Sequence, residues 1–482
     1  MQENENLSSF LDPRGVVLIG ASRRPDSWGN MIAKGLRDSG YGGALYIVNA
    51  KAQEIMGIPC YPSLEEVPGH VELAIVTVPA EAMMDVLRDC ARKRVKGIVI
   101  ISSGFGEALG SKGKEIEQEM ALFARMNGMR LLGPNVSGIY NLNKSFYATT
   151  HYPHFGTPTG ISFLSQGGFA AHNIFTRAGA RGIHIGKFVH TGNEADLQIT
   201  DFLKALGKDP ETHVILVYLE GLKEPRRFLE IARRISPEKP IVVYKGGKSE
   251  EGVRAAASHT GAMSGSFDLY QALFKQAGCI VAPNFEIMPD LGYAFTFYPP
   301  LKGPRVGIIT QGGSWGVMLT DHLSLRGLRV PELSSSLQKK LRGLGMPYRA
   351  STKNPVDFGA AFLGQAKEAK LGIVEAMLSS TEIDALILHG YGIKDPQTDR
   401  PQHWISQLQR EQEEILRRGM EMMRAYKKPF VLGSYYVSHL ESRTIRNLVQ
   451  DGIPVFNSLE DIANLLRCLY HYYRRRDSVS TA

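Results

Sequence analysis

Short runs of β-branched and aliphatic residues recur along the chain, each followed by a Gly-, Pro- or Ser-rich loop and most by a stretch with helical apolar spacing. That alternation predicts parallel α/β sheets. Val16–Gly20, Ala44–Asn49, Leu73–Val78, Gly97–Ser102 and Arg130–Leu132 are the strands expected of a first, doubly wound, Rossmann-like unit. A second set begins at Gly160–Leu164 and continues with Gly186–Val189, Val214–Leu219, Ile241–Lys245 and Cys279–Val281. The stretch Tyr298–Pro304 (YPPLKGP) interrupts any regular element and reads as a linker. A third set then runs Arg305–Thr310, Ala385–His389, Pro429–Gly433 and Pro454–Phe456. Between them, Gln407–Tyr426 has the amphipathic spacing of an exposed helix with one core face.

One segment occurs twice. GISFLSQGGFAAHNIFTRAGARG (Gly160–Gly182) matches VGIITQGGSWGVMLTDHLSLRGLRV (Val306–Val330). Both read as a strand, a [Ser/Thr]-Gln-Gly-Gly turn, a helix and a Gly-terminated end, so the second and third units are expected to be related α/β folds. A Gly-Gly turn lets the backbone approach a ligand with no Cβ in the way. The N–H groups that open the helix, together with its macrodipole, then favour an anion, phosphate above all. Ser165, Gln166, Gly167 and Gly168 form one candidate phosphate turn; Gln311, Gly312 and Gly313 form the other. Tight strand-to-helix turns also need glycine for structural reasons, so the pair says more than either copy alone.

Composition narrows the class. The 482 residues suggest three domains at about 150 residues each. With 43% apolar and 22% charged residues the chain is globular rather than disordered. No apolar run approaches the ~18 residues that span a bilayer. The start, MQENENLSSFLDPRG, lacks the basic and apolar regions of a signal peptide. The net charge of +8 favours anionic partners. The dense cluster Arg474–Arg476 reads as a solvated terminus, and no basic stripe interleaved with aromatics points to nucleic acid. Four cysteines without a C-x-x-C pair argue against a disulfide framework or a zinc site, and fit a reducing cytoplasm.

In the first unit, VVLIGAS runs into a loop and then Trp28-Gly29-Asn30, a dinucleotide-like turn without G-x-G-x-x-G. The second strand ends in Asn49-Ala50-Lys51, with no carboxylate to hold a ribose diol as NAD requires. Lys51 instead suits a ligand with phosphate on its nucleotide end. Thr77-Val78-Pro79, Ser102–Gly106 and Gly133-Pro134-Asn135 are expected to line the carboxyl edge of the sheet, where such ligands sit. Farther on, His259 stands among small residues in AAASHTG. Small neighbours leave an imidazole uncovered and let a loop move. A nucleophilic histidine needs a neutral ring and an acceptor that fixes its tautomer. Glu220, ending the apolar strand VILVYLE, is a candidate partner, although a carboxylate at a strand end is more often a solvated loop charge.

Taken together, ASHTGAMSG, the YLEG strand end, GPNVSG and the SQGG turn resemble the α subunit of NDP-forming (ADP-forming) acyl-CoA synthetases, relatives of succinyl-CoA synthetase, over about residues 8–470. The resemblance implies an α/β chain: a Rossmann-like CoA-binding domain (1–147), then two flavodoxin-like parallel-sheet ligase domains (148–298 and 299–482). It implies a reversible reaction of acyl-CoA, phosphate and ADP to carboxylate, CoA and ATP, through an acyl phosphate and a phosphohistidine. Matched to the motifs, His259 is the phosphoryl acceptor, Glu220 the glutamate that hydrogen-bonds it, and Ser165–Gly168 the phosphate turn, with Gln311–Gly313 opposing it from the third domain. CoA is expected at Gly20, Ser22, Arg23, Asn49, Lys51, Val78, Pro79, Ser103 and Asn135. No permanently bound cofactor or metal is implied; CoA, acyl-CoA and phosphate are substrates. No ATP-grasp domain is found, so Mg-ADP and ATP are expected on a separate β subunit of that type, in an α2β2 assembly with neither nucleic acid nor membrane as partner.

Two departures stand out. Gly167 takes the place of a second serine common in the family turn, which removes one hydroxyl donor, and TQGGSWGV replaces an Asn-Ala-Gly-Gly-Pro-Gly run. A non-catalytic acyl-CoA-binding regulatory subunit is the alternative, and a nicotinamide-dependent dehydrogenase the third reading, disfavoured by Asn49.

Overall fold

The computed structural model describes residues 7–151, 156–252, 254, 266–359, 366–396, 403–434 and 439–480. The chain divides into two compact units, one of residues 1–176 and 184–288, the other of residues 177–183 and 289–482.

The first unit contains two seven-stranded sheets. Across the first, the strands lie in the order Glu54–Ile55, Ile58–Tyr61, Ala44–Val48, Gly15–Ile19, Leu73–Val76, Gly97–Ile100 and Arg130–Leu132. All neighbours are parallel except the small hairpin Glu54–Tyr61. Leaving aside Glu54–Ile55, the order is the roughly 3-2-1-4-5-6 arrangement of a dinucleotide-binding sheet. Helices cover both faces of such a sheet, which is why Gly15–Ile19 (GVVLI) is buried along its whole length. The order reverses between Gly15–Ile19 and Leu73–Val76, so a crevice opens beyond Gly20 and Thr77. Gly20 turns there with φ +92°, and a Cβ on it would lie 2.9 Å from both Thr77 Oγ1 and Val78 Cγ1.

In the second sheet the order is Ile280–Val281, Ile241–Lys245, Val214–Leu219, Ile161–Ser165, Lys187–His190, Gly138–Asn141 and Phe146–Thr149. The first five are parallel, in flavodoxin-like order, with Ile161–Ser165 at the topological switch. The hairpin Gly138–Thr149 adds antiparallel to Lys187–His190. The sequence reading drew the first unit to residue 147, whereas this hairpin extends the second sheet. Its two strands are buried along their length, and two of their polar residues are bonded: Asn141 Nδ2 donates to the Leu11 carbonyl (2.9 Å) and Thr149 Oγ1 to the Ser137 carbonyl (2.7 Å). Asp196, with a fully buried side chain, ties the two sheets together. It accepts from Arg125 Nε (2.6 Å), Arg130 Nε (2.8 Å) and the Leu131 N–H (2.9 Å).

The second unit is built on a parallel sheet ordered Val356–Asp357, Val306–Thr310, Ala385–His389 and Phe430–Gly433, again with the first strand in chain order inside the sheet. Pro454–Phe456, expected as a strand, contributes a single parallel bridge from Phe456 to Gly433. Val356–Asp357 was not anticipated, being only two residues long. The amphipathic stretch lies within the helix His403–Tyr426, with Ile415, Leu416 and Met423 on its buried face. Among the described residues no helix is long and apolar enough to cross a membrane.

Candidate active site

The first Gly-Gly turn sits at the switch point of the second sheet. Ser165 ends the central strand, in register with His190 on one side and Tyr218 on the other. Its hydroxyl closes the turn, accepting the Gly167 N–H (3.2 Å) and donating to the Gly167 carbonyl (2.8 Å). Gln166 is held by four bonds. Its Oε1 accepts from the N–H groups of Glu220 (2.6 Å) and Gly221 (3.1 Å); its Nε2 donates to the Gly221 carbonyl (2.8 Å) and Glu194 Oε1 (3.2 Å). Glu194 is buried, and burial raises its carboxyl above the usual range despite bonds from the Ile199 N–H (2.9 Å) and Thr191 Oγ1 (2.8 Å) and the nearby Lys223 charge. The helix Gly168–Ala180 begins directly after this braced turn, with its opening N–H groups at the strand end.

Gly167 has a steric reason. A Cβ there would lie 2.9 Å from Tyr218 Cε1 and 3.3 Å from Glu220 Oε1. The tyrosine ring fills the space a serine would need, which accounts for the departure from the family turn. Glu220 is buried beside it, with the Tyr218 hydroxyl 3.4 Å from Oε1. Lys245, also buried, has its ammonium lowered by burial and partly restored by the Glu220 charge. His259, the expected phosphoryl acceptor, lies outside the described residues.

A cavity of about 640 Å³ opens beside the turn. Gly167, Gly168 and Glu220 line it, together with Asn135 and Ile101 at the edge of the first sheet and Trp28, the first residue of the helix Trp28–Asp38. It also exposes residues that the sequence reading missed: His190, Ser137, His151 and Tyr218. His190 Nε2 lies 3.0 Å from the Gln166 carbonyl, and its Nδ1 accepts the Ser137 N–H at 2.7 Å. The signal available for His190 was its place at the end of a strand adjacent to the turn; Ser137 and His151 had none.

The expected CoA residues fall into two groups. Gly20, Val78, Pro79, Ser103 and Asn135 follow strand ends along the carboxyl edge of the first sheet. The Ser22 carbonyl accepts Asn30 Nδ2 (2.9 Å), and Asn49 Nδ2 donates to the Ala21 carbonyl (2.8 Å) while its Oδ1 accepts the Lys51 N–H (2.8 Å). Asn49 thus shapes the loop with its side chain rather than presenting it. Arg23 borders a separate groove of about 630 Å³ with Lys34 and Arg37, two cations that the sequence reading did not single out.

The second turn belongs to the other unit. Thr310 Oγ1 closes it as Ser165 does, accepting the Gly312 N–H (3.3 Å) and donating to the Gly312 carbonyl (3.2 Å). His389 ends the neighbouring strand in register with Thr310. Trp315 lies against His389, ring centroids 5.1 Å apart.

A dinucleotide-type sheet followed by a flavodoxin-type sheet that carries the Ser165–Gly168 turn at its switch point is the domain pair of the CoA-dependent ligases of the succinyl-CoA synthetase type. Family models agree: a CoA-binding domain matches residues 14–141 and a succinyl-CoA-ligase-like flavodoxin domain matches residues 158–295. The α subunit of ADP-forming acetate–CoA ligase II from Pyrococcus furiosus is 36% identical, over 95% of this chain and 96% of its own length. Its counterpart from ligase I of the same organism is 36% identical over 97% and 98%. The acetyl-coenzyme A synthetase 1 of Ca. Korarchaeum cryptofilum, a dinucleotide-forming enzyme solved with phosphate and ADP, superposes with a TM-score of 0.86 at 31% identity, covering 99% of this chain and 98% of that one. The chain belongs to the family of NDP-forming acyl-CoA synthetase α subunits.

Proposed function

We propose that this chain catalyses the CoA-side half of an ADP-forming acyl-CoA synthetase reaction. Phosphate attacks the thioester carbonyl, giving an acyl phosphate and releasing CoA as the thiol. His259 then attacks phosphorus; the P–O bond to the acyl group breaks, and the carboxylate leaves. Glu220 orients the His259 ring by accepting its other N–H. The phosphohistidine loop carries the phosphoryl group to ADP, held with magnesium on a separate ATP-grasp β subunit in an α2β2 assembly. The names of the relatives, α subunits of acetate–CoA ligases, support a two-chain enzyme and put acetate first among the acyl groups to test.

The observation that carries this reading is the braced Ser165–Gly168 turn with Glu220 against it, facing a cavity that reaches the CoA-type edge of the first sheet. Phosphoryl transfer is mostly positioning and charge stabilisation, and this site offers both. The test is acyl-CoA- and phosphate-dependent ATP formation by the chain combined with its ATP-grasp partner. His259→Ala should lower the rate by about a thousandfold or more while CoA binding is retained. An active His259→Ala enzyme would contradict the scheme.

A further inference from the structure

Ser137, His151 and His190 meet beside Gly168, in a cluster that the phosphoryl-transfer scheme leaves unused. They come from the loop after Asn135, the end of the antiparallel hairpin and a central strand. The contacts assign their protons. His190 Nε2 faces a carbonyl, that of Gln166, at 3.0 Å and so carries the hydrogen. Its Nδ1 accepts the Ser137 N–H at 2.7 Å, which fills its one lone pair. The Ser137 hydroxyl lies 3.0 Å from that occupied nitrogen and 2.9 Å from His151 Nε2.

His151 is enclosed by rings. Its centroid lies 5.4 Å from that of Phe175, 5.9 Å from Phe188 and 5.8 Å from His172. Burial, with the neighbouring His190 and His172, pushes it down to about 3, so the ring is neutral at working pH. The cluster touches the turn: a Cβ on Gly168 would lie 3.2 Å from His190 Cε1 and 3.8 Å from Ser137 Cβ. The turn itself lacks a hydroxyl at Gly167, where Tyr218 occupies the space.

We propose that Ser137 supplies the missing hydroxyl donor to the phosphate and phosphoryl oxygens bound at the Ser165–Gly168 turn. His151 Nε2–H donates to Ser137 Oγ, which turns the serine proton toward the ligand. His190 anchors the Ser137 backbone to the turn, so donor and helix N-terminus keep a fixed spacing. His151 is a positioning residue; Ser137 contacts the phosphate. The proposal rests on the reading that phosphate is used at this turn.

The test varies inorganic phosphate at saturating acyl-CoA, using the chain with its ATP-grasp partner. The acyl-CoA is whichever of acetyl-, propionyl- and phenylacetyl-CoA turns over fastest. Ser137→Ala should lower kcat/KM for phosphate by about 10- to 100-fold, while KM for acyl-CoA and the melting temperature hold. Ser137→Thr should recover most of the loss, because it keeps the hydroxyl. His151→Phe should show a smaller loss with the same phosphate selectivity, and His151→Gln, which retains an N–H donor, should recover part of it. Unchanged phosphate constants in Ser137→Ala would overturn the proposal, as would a Thr variant no better than Ala or an equal loss for both substrates. Wild-type enzyme that makes no phosphate-dependent ATP would overturn the underlying reading and the proposal with it. An active wild type with an indifferent Ser137→Ala overturns the proposal alone.

Discussion

The turns at Ser165 and Thr310 share a four-residue pattern and a closing hydroxyl, yet they are braced differently. In the first, Gln166 makes four hydrogen bonds and His190 is fixed through both ring nitrogens by backbone groups. In the second, the matching Gln311 Nε2 and both ring nitrogens of His389 are buried without a hydrogen-bond partner among the described residues. Each histidine pairs in register with its turn residue but on opposite sides of it: His190 ends the next strand in the chain, whereas His389 ends the strand after Val356–Asp357, the place Tyr218 holds in the first unit. A motif therefore dictates the turn, while residues from elsewhere in the chain decide whether it is held rigid. A turn that must present N–H groups to developing charge gains from bracing, because no reorganisation is then needed during reaction.

The contrast can be broken from either side. The largest effect is expected at Gln166. Gln166→Leu strands the Glu220 and Gly221 N–H groups and the Gly221 carbonyl, and should cost about 3–5 kcal/mol in urea unfolding. Gln311→Leu removes an amide whose Nε2 has no hydrogen-bond partner among the described residues and should change stability by less than about 1 kcal/mol. Equal losses would mean that the two turns are braced alike.

Next comes pH. Burial pushes His389 down to about 4, against about 6.5 in the unfolded chain. Its folded pKa is depressed, so the unfolded state binds the proton first as pH falls. The stability it contributes is complete above pH ~6.5 and is lost between there and pH ~4, about 3 kcal/mol in all. His389→Leu should lose less stability than wild type between pH 7 and 4.5. The slope due to His151, pushed down to about 3 in the first unit, should remain and should reach about one pH unit lower. An unaltered slope in His389→Leu would show that this imidazole is not held neutral by burial.

The smallest effect concerns the glycines. A Cβ on Gly167 meets the Tyr218 ring at 2.9 Å, whereas one on Gly312 meets Trp315 Cδ1 at 3.2 Å and little else. Gly167→Ala should cost about 1–3 kcal/mol and Gly312→Ala less than about 1 kcal/mol, read from denaturant midpoints. The reverse order would displace Tyr218 as the reason for Gly167.

Much of this molecule is legible in its sequence. Parallel strands buried on both faces, such as Gly15–Ile19 and Leu73–Val76, read as unbroken apolar runs. The hairpin Gly138–Thr149 does not, because its polar Asn141 is buried by a bond to Leu11, 130 residues away. The same holds at the site. Ser165–Gly168 announces itself through its glycines and its repeat, and Glu220 through its place at a strand end. Ser137 and His190 are 53 residues apart and meet only through sheet pairing that periodicity does not encode.

The most direct test of the central claim is the intact mass of the chain after incubation with acyl-CoA and phosphate in the presence of its ATP-grasp partner without ADP, beside His259→Ala. The account predicts a gain of one acid-labile phosphoryl group on the wild-type chain and none on the mutant. No gain on the wild type, or the same gain on His259→Ala, would contradict it.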